Sequence, residues 1–162
     1  MIGVSNTTPL RYLIAIGREA LFGRLFEKVL VPIGVHKELT DSRTPEIVRS
    51  FVLCRPSWLE VRTVPDTGAA FPVSLHRGER EAILLAEAVH ADVLLIDEQI
   101  GRTVARSRHI PLSGTLGVLE RADVMGFIDD FPQVLRQLKD GGFFIDDSLK
   151  TQLLDRHARR HK

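Results

Sequence analysis

The chain has 162 residues, 44% of them hydrophobic and 27% charged, which allows one domain with a substantial core and excludes a disordered or membrane-embedded composition. Its 22 Lys+Arg against 21 Asp+Glu leave a net charge of +1, so no whole-protein field announces a polyanion partner and any such partner must be held by local patches. Cys54, the single cysteine, excludes an intramolecular disulfide and a cysteine zinc cluster and reads as a packed, inert thiol, while the absence of a basic segment ahead of an apolar stretch near Met1 predicts a cytoplasmic protein with no membrane partner.

Strand and helix signals alternate along the chain. Ile2-Gly3-Val4 reads as a buried strand running into Ser5-Asn6-Thr7-Thr8-Pro9, where Thr8 is expected to cap a helix with Pro9 at its first position and Gly17 beyond its end. A short helix is predicted over 19–26 and a strand over 28–31, closed by Pro32. A helix then carries Val35, Glu38 and Leu39, and Thr44-Pro45 starts another with Ile47, Val48, Phe51 and Val52. The alternation over 58–64 suggests a strand with one exposed face near a sheet edge, and 65–73 is a loop.

The spacing of Ala82, Ile83, Leu85, Ala86 and Val89 predicts a helix over 77–90, followed by a buried strand over 92–96 and a helix over 99–108. A short strand at 110–112 precedes Gly114-Thr115, which opens a further helix. Helices over 131–139 and after Asp146-Asp147-Ser148 complete the chain, separated by Gly141-Gly142. This order argues for an α/β fold with a mainly parallel central sheet flanked by helices, as one domain over residues 1–162.

Parallel strands ending at Val4 and Ile96 would bring Asn6 and Asp97 to one rim, the edge at which open α/β sheets place ligands. Asp97 is a candidate functional carboxylate or an N-cap, although Ile100 stands where a capping-box Glu or Gln would be expected. Glu81 lies near the start of its helix beside Glu79, where the macrodipole favours acids whatever their role. Glu38 alone reads as a helix-surface residue. Arg102 and Arg106 share a helix face. They form a basic patch with Arg108 and His109, and the tail from Arg156 to Lys162 forms another; each is either a solvated helix end or a phosphate contact.

Five segments in order, Val4 to Leu10, Val31-Pro32 to Glu38-Leu39, Gly78 to Ala86, Leu94 to Glu98, and Gly114-Thr115-Leu116-Gly117-Val118-Leu119, resemble the PIN-like family. The resemblance is to its prokaryotic toxin-type branch, with a Ser-Asn/Asp-Thr start and a Gly-Thr-Leu-Gly-Val-Leu helix. It extends from residue 4 to about residue 127 and is weaker over the C-terminal helices. It implies a three-layer fold and a site in which the four acid positions fall on Asn6, Glu38, Glu81 and Asp97, with Glu98 as an additional or substitute ligand and Thr7 and Thr115 as supporting hydroxyls. Asn6 departs from the pattern: an amide oxygen coordinates a hard cation but brings no charge.

The resemblance further implies an endoribonuclease dependent on Mg²⁺ or Mn²⁺, similar to the toxin of a type II toxin–antitoxin pair, with RNA as substrate, a small antitoxin protein as partner and a homodimeric state. Arg102 and Arg106 would steer the RNA backbone. The alternative is a catalytically degenerate module of the same fold that binds RNA or a protein without cleavage. A nucleotide-binding domain is disfavoured, because no phosphate-cradling glycine loop follows the first strand.

Overall fold

Parallel strands covered on both faces read as short, nearly unbroken apolar runs, and the runs near Gly3, Leu30 and Leu94 are of this kind. The computed structural model describes residues 1–65 and 67–162; Asp66, in the loop expected over 65–73, lies outside the described residues. The strands are β1 (Ile2–Ser5), β2 (Lys28–Pro32), β3 (Leu59–Arg62), β4 (Val93–Leu95) and β5 (Leu112–Ser113). The helices are α1 (Thr7–Ala15), α2 (Ala20–Leu25), α3 (Ile33–Leu39), α4 (Glu46–Leu53), α5 (Arg77–Ala88), α6 (Gln99–Ser107), α7 (Thr115–Val124), α8 (Phe131–Asp140) and α9 (Asp147–Arg160).

The sheet order is β3-β2-β1-β4-β5 with every described pairing parallel, and Val4 stands opposite Leu30 on one side and Leu94 on the other. Alternation along the strands feeds two cores. Val29, Val31 and Leu95 point into a core shared with α1, α2, α4, α7 and α8, whereas Val4, Leu30, Leu94 and Ile96 point into one shared with α5 and α6. The result is an α/β fold whose sheet is flanked by helices on both faces. No helix among the described residues is long and apolar enough to cross a membrane.

Three local expectations are corrected. The first helix begins at Thr7 with Asn6 in the N-cap position, and Thr8, expected as the cap, lies inside the helix because its hydroxyl donates to Glu98 instead. Cys54 is exposed and not packed, since it closes α4 at a surface turn where Arg55 takes φ 49°. The basic tail is docked on α7: Arg156 pairs with Glu120 at 2.9 Å and Arg160 with the buried Asp123 at 2.6 Å.

Close packing also sets a testable limit in α2. A Cβ on Gly23 would lie 2.6 Å from Cδ1 of Trp58, whose ring stacks on Phe22 at 5.3 Å and cannot retreat as a flexible chain end would. Overpacking there costs about 1–3 kcal/mol against the roughly 1 kcal/mol of helix propensity that alanine adds, so Gly23→Ala is expected to lose about 1 kcal/mol net. Chemical denaturation checks this, and a raised midpoint would contradict it.

Candidate functional site

The strand order reverses between β1 and β4, and the crevice beyond their C-terminal ends is the switch point at which this architecture opens a site. Asn6 follows β1 directly, its backbone N–H donating to the Leu95 carbonyl at 2.9 Å. Asp97 and Glu98 follow β4. Because β4 lies between β1 and β5, these consecutive carboxylates serve opposite neighbours. Asp97 accepts from the Thr115 N–H at 2.9 Å and the Thr115 hydroxyl at 2.6 Å, at the start of the helix after β5. Glu98 turns to the helix after β1, accepting from the Asn6 side-chain amide at 3.1 Å and the Thr8 hydroxyl at 2.5 Å.

A pocket of about 340 Å³ opens on this rim, with Asn6, Thr7, Glu38, Glu79 and Glu98 in its wall alongside Arg11 and His76. Glu38 reaches it from α3 and accepts from the Thr7 hydroxyl at 2.7 Å. Glu79 reaches it from the third position of α5 and is only 5% exposed, so its carboxylate has little water to solvate it. Burial pushes its pKa up first, and the charges of Glu98 and Glu38 push it further, against a partial offset from His76. Gly101 makes this approach possible, since a Cβ there would meet Glu79 Oε2 at 3.1 Å and Ile96 Cδ1 more closely still.

Two other expected site residues face elsewhere. Glu81, two positions beyond Glu79, turns to α3, where its Oε2 accepts from the Gly34 N–H at 2.7 Å and its Oε1 from Arg77 at 3.2 Å. It lines a separate cleft of about 390 Å³ with Arg77, Arg80 and Phe71. Asp97 sits behind the pocket wall with both oxygens engaged by Thr115; burial raises its pKa, the two Thr115 bonds oppose that rise, and neighbouring Glu98 adds to it. Of the two arginines on α6, Arg102 donates to the Ile96 carbonyl at 2.9 Å and is half-buried, whereas Arg106 is exposed.

Glu79 was not singled out from the sequence, although a signal existed. It stands three, four and seven residues before the buried Ala82, Ile83 and Ala86, and so heads the sheet-facing stripe of α5.

The donor set is chemically coherent. Among the described residues no ion pair within 4 Å engages Glu38, Glu79 or Glu98, so three carboxylates share one pocket with only Arg11 and His76 as more distant basic groups in its wall. Such hard oxygen donors fit Mg²⁺ or Mn²⁺. These three do not bring ligand atoms within 4.8 Å of one another, wider than the roughly 4.2 Å that bonds of about 2.1 Å to one Mg²⁺ would span, so a cation in this arrangement would be held in part through bridging waters or after the side chains close on it.

The group of described residues that does meet that distance is Asp123, His157 and His161, a candidate divalent-ion triad. It joins the last turn of α7 to the end of α9, far along α7 from Thr115 and the acidic rim.

A family model described as "DUF3368: PIN domain" matches residues 2–159. No curated protein matches the chain.

Proposed function

The chain belongs to the PIN-domain family, and from that premise we propose that it is a metal-dependent endoribonuclease of the toxin type found in type II toxin–antitoxin pairs. The observation that carries this reading is the grouping of Glu38, Glu79 and Glu98, none of them in a close ion pair among the described residues, in one pocket at the strand-order reversal. A bound Mg²⁺ or Mn²⁺ supplies two things there: charge to neutralise the RNA phosphate and a lowered pKa for an attacking water.

The chain's own residues do the holding. Thr7 orients Glu38, and Asn6 and Thr8 together fix both oxygens of Glu98. Glu79, desolvated and set beside the charges of Glu98 and Glu38 with a partial offset from His76, resists ionisation until a cation arrives. Asp97 acts as a positioning residue, tying the β4 end to α7 while adding negative potential behind Glu98. Glu81 has the parallel task of holding α3 against α5 through Gly34. Exposed Arg106 is the better placed of the two α6 arginines to meet a phosphate backbone. An antitoxin protein and a second copy of the chain are the proposed partners.

Asn6 favours a second reading, a binding module that has lost catalysis, because it leaves the site one charge short. One substitution separates the two. Asn6→Asp would place a carboxylate where an amide now donates to Glu98 at 3.1 Å, so the metal-free protein is expected to lose stability while its Mn²⁺ affinity rises by on the order of tenfold. Incubating native protein and the variant with mixed RNA oligonucleotides in Mg²⁺ or Mn²⁺ is the test. Cutting by both supports the nuclease reading, and cutting by the variant alone identifies the native chain as the silent form.

A further inference from the structure

We propose that Asp123, His157 and His161 form a structural transition-metal site of the zinc class that staples the C-terminal helix α9 to α7, separate from the acidic pocket. The geometry begins with sequence spacing. His157 and His161 are four residues apart at the end of α9, an interval that places two imidazoles on one helix face, as in helical zinc sites. Their ring centroids are 4.5 Å apart, and His157 stacks on Phe131 at 5.2 Å, which limits its freedom to turn away.

Both rings face one carboxylate. Asp123 is 1% exposed, with His157 Nδ1 2.8 Å from Oδ2 and His161 Nε2 3.3 Å from Oδ1. Zinc bonds of about 2.0–2.2 Å in a tetrahedral arrangement separate neighbouring donors by about 3.3 Å. The two rings approach different oxygens of that carboxylate, and one ligand atom from each of the three residues lies within 4.8 Å of the others, so the three have only to draw together to reach that spacing around an ion. Two imidazole nitrogens and one carboxylate oxygen suit Zn²⁺, Co²⁺ or Ni²⁺ rather than Mg²⁺, and leave the fourth position to water.

Arg160 is the competitor. Its Nη2 donates to Asp123 Oδ2 at 2.6 Å, but its Nε is buried without a hydrogen-bond partner among the described residues. The guanidinium is therefore under-satisfied where it lies, and swinging outward would release Oδ2 while giving Nε access to water. The helix it helps to hold has thin apolar anchorage: within α9 Leu153 is the buried residue, Leu154 is partly buried against the same core, His157 stacks on Phe131, and ion pairs to α7 run through Glu120 and Asp123. A metal bound there would add what the apolar packing of α9 lacks.

Tag-free protein titrated with Zn²⁺ and with Co²⁺ tests the site. Zn²⁺ at about a hundred times its dissociation constant is expected to raise the melting temperature by about 5 °C or more. Co²⁺ is expected to develop the visible absorption of a tetrahedral N/O site. His161→Gln, at a half-exposed position, should lose that absorption, and the His157→Gln/His161→Gln double variant should lose both effects. Glu79→Gln should retain the cobalt spectrum, which separates this site from the acidic pocket. Arg160→Gln should bind Co²⁺ on the order of tenfold more tightly, because a competing positive charge is gone. No cobalt absorption and no Zn²⁺ shift in the native protein, or both effects surviving in the double variant, would overturn the proposal.

Discussion

Glu79→Gln is expected to slow RNA cleavage by about 10²–10⁴-fold and, in the same molecule, to raise the melting temperature of the metal-free protein. Glu79 is 5% exposed and its pKa is raised by burial and by Glu98 and Glu38. A carboxyl with a raised folded pKa contributes stability that is complete below its unfolded pKa and is lost as pH rises through the folded value. As pH rises past the unfolded value, the buried carboxyl therefore becomes a burden on the metal-free fold. Glutamine keeps its size and a hydrogen-bond acceptor but removes the charge, so a gain on the order of a few degrees should appear in EDTA at pH 7 and shrink towards pH 4.

The same charge is what a divalent cation would bind. Its loss should cost several kcal/mol of transition-state stabilisation, about 10²–10⁴-fold in rate. Paired melting curves and cleavage rates give the answer. A variant less stable than the native protein in EDTA would mean that Glu79 is a structural cap of α5 and not a strained ligand.

The second large effect is expected at Asp97 and falls on stability. Thr115 is 0% exposed, and its N–H and hydroxyl both depend on the two Asp97 oxygens. Asp97→Ala would leave two buried donors without acceptors at the first turn of α7, a loss of about 2–4 kcal/mol. Asp97→Asn keeps one acceptor oxygen and removes a carboxylate whose ionisation is opposed by burial, so it should cost clearly less. Mn²⁺ affinity per folded molecule should change far less for either variant than for Glu98→Gln. Denaturant midpoints read beside Mn²⁺ titrations would decide this. Two variants as stable as the native protein, both with Mn²⁺ binding abolished, would make Asp97 a direct ligand.

These two residues mark how far the sequence could be read. The fold was legible because buried parallel strands and amphipathic helices have different periods, and the runs ending at Val4 and Ile96 do lie side by side, with Ser5 opposite Leu95. The rim followed from that pairing. The direction in which each acid points did not, because it depends on one or two residues at a helix start or strand end. Glu79 and Glu81 are two positions apart on α5, about 200° around the helix, so one turns to the pocket and the other to Gly34. Asp97 and Glu98 are adjacent yet serve different helices. Thr8 illustrates the same limit: a Thr-Pro pair is a sound helix-start signal, but a nearby carboxylate took the hydroxyl and the helix began earlier. The Asp123 cluster was invisible because it joins positions more than thirty residues apart, and the tail read locally as solvated charge.

The central claim is that the pocket of Glu38, Glu79 and Glu98 cuts RNA with the help of a divalent cation, and the direct measurement is cleavage of an end-labelled single-stranded RNA in Mn²⁺ and in EDTA. Native protein and a Glu38→Gln/Glu98→Gln double variant would be compared at matched folded concentration. The account predicts cutting by the native protein in Mn²⁺ alone, and none by the double variant. Cutting in EDTA, or cutting by the double variant at the native rate, would contradict it.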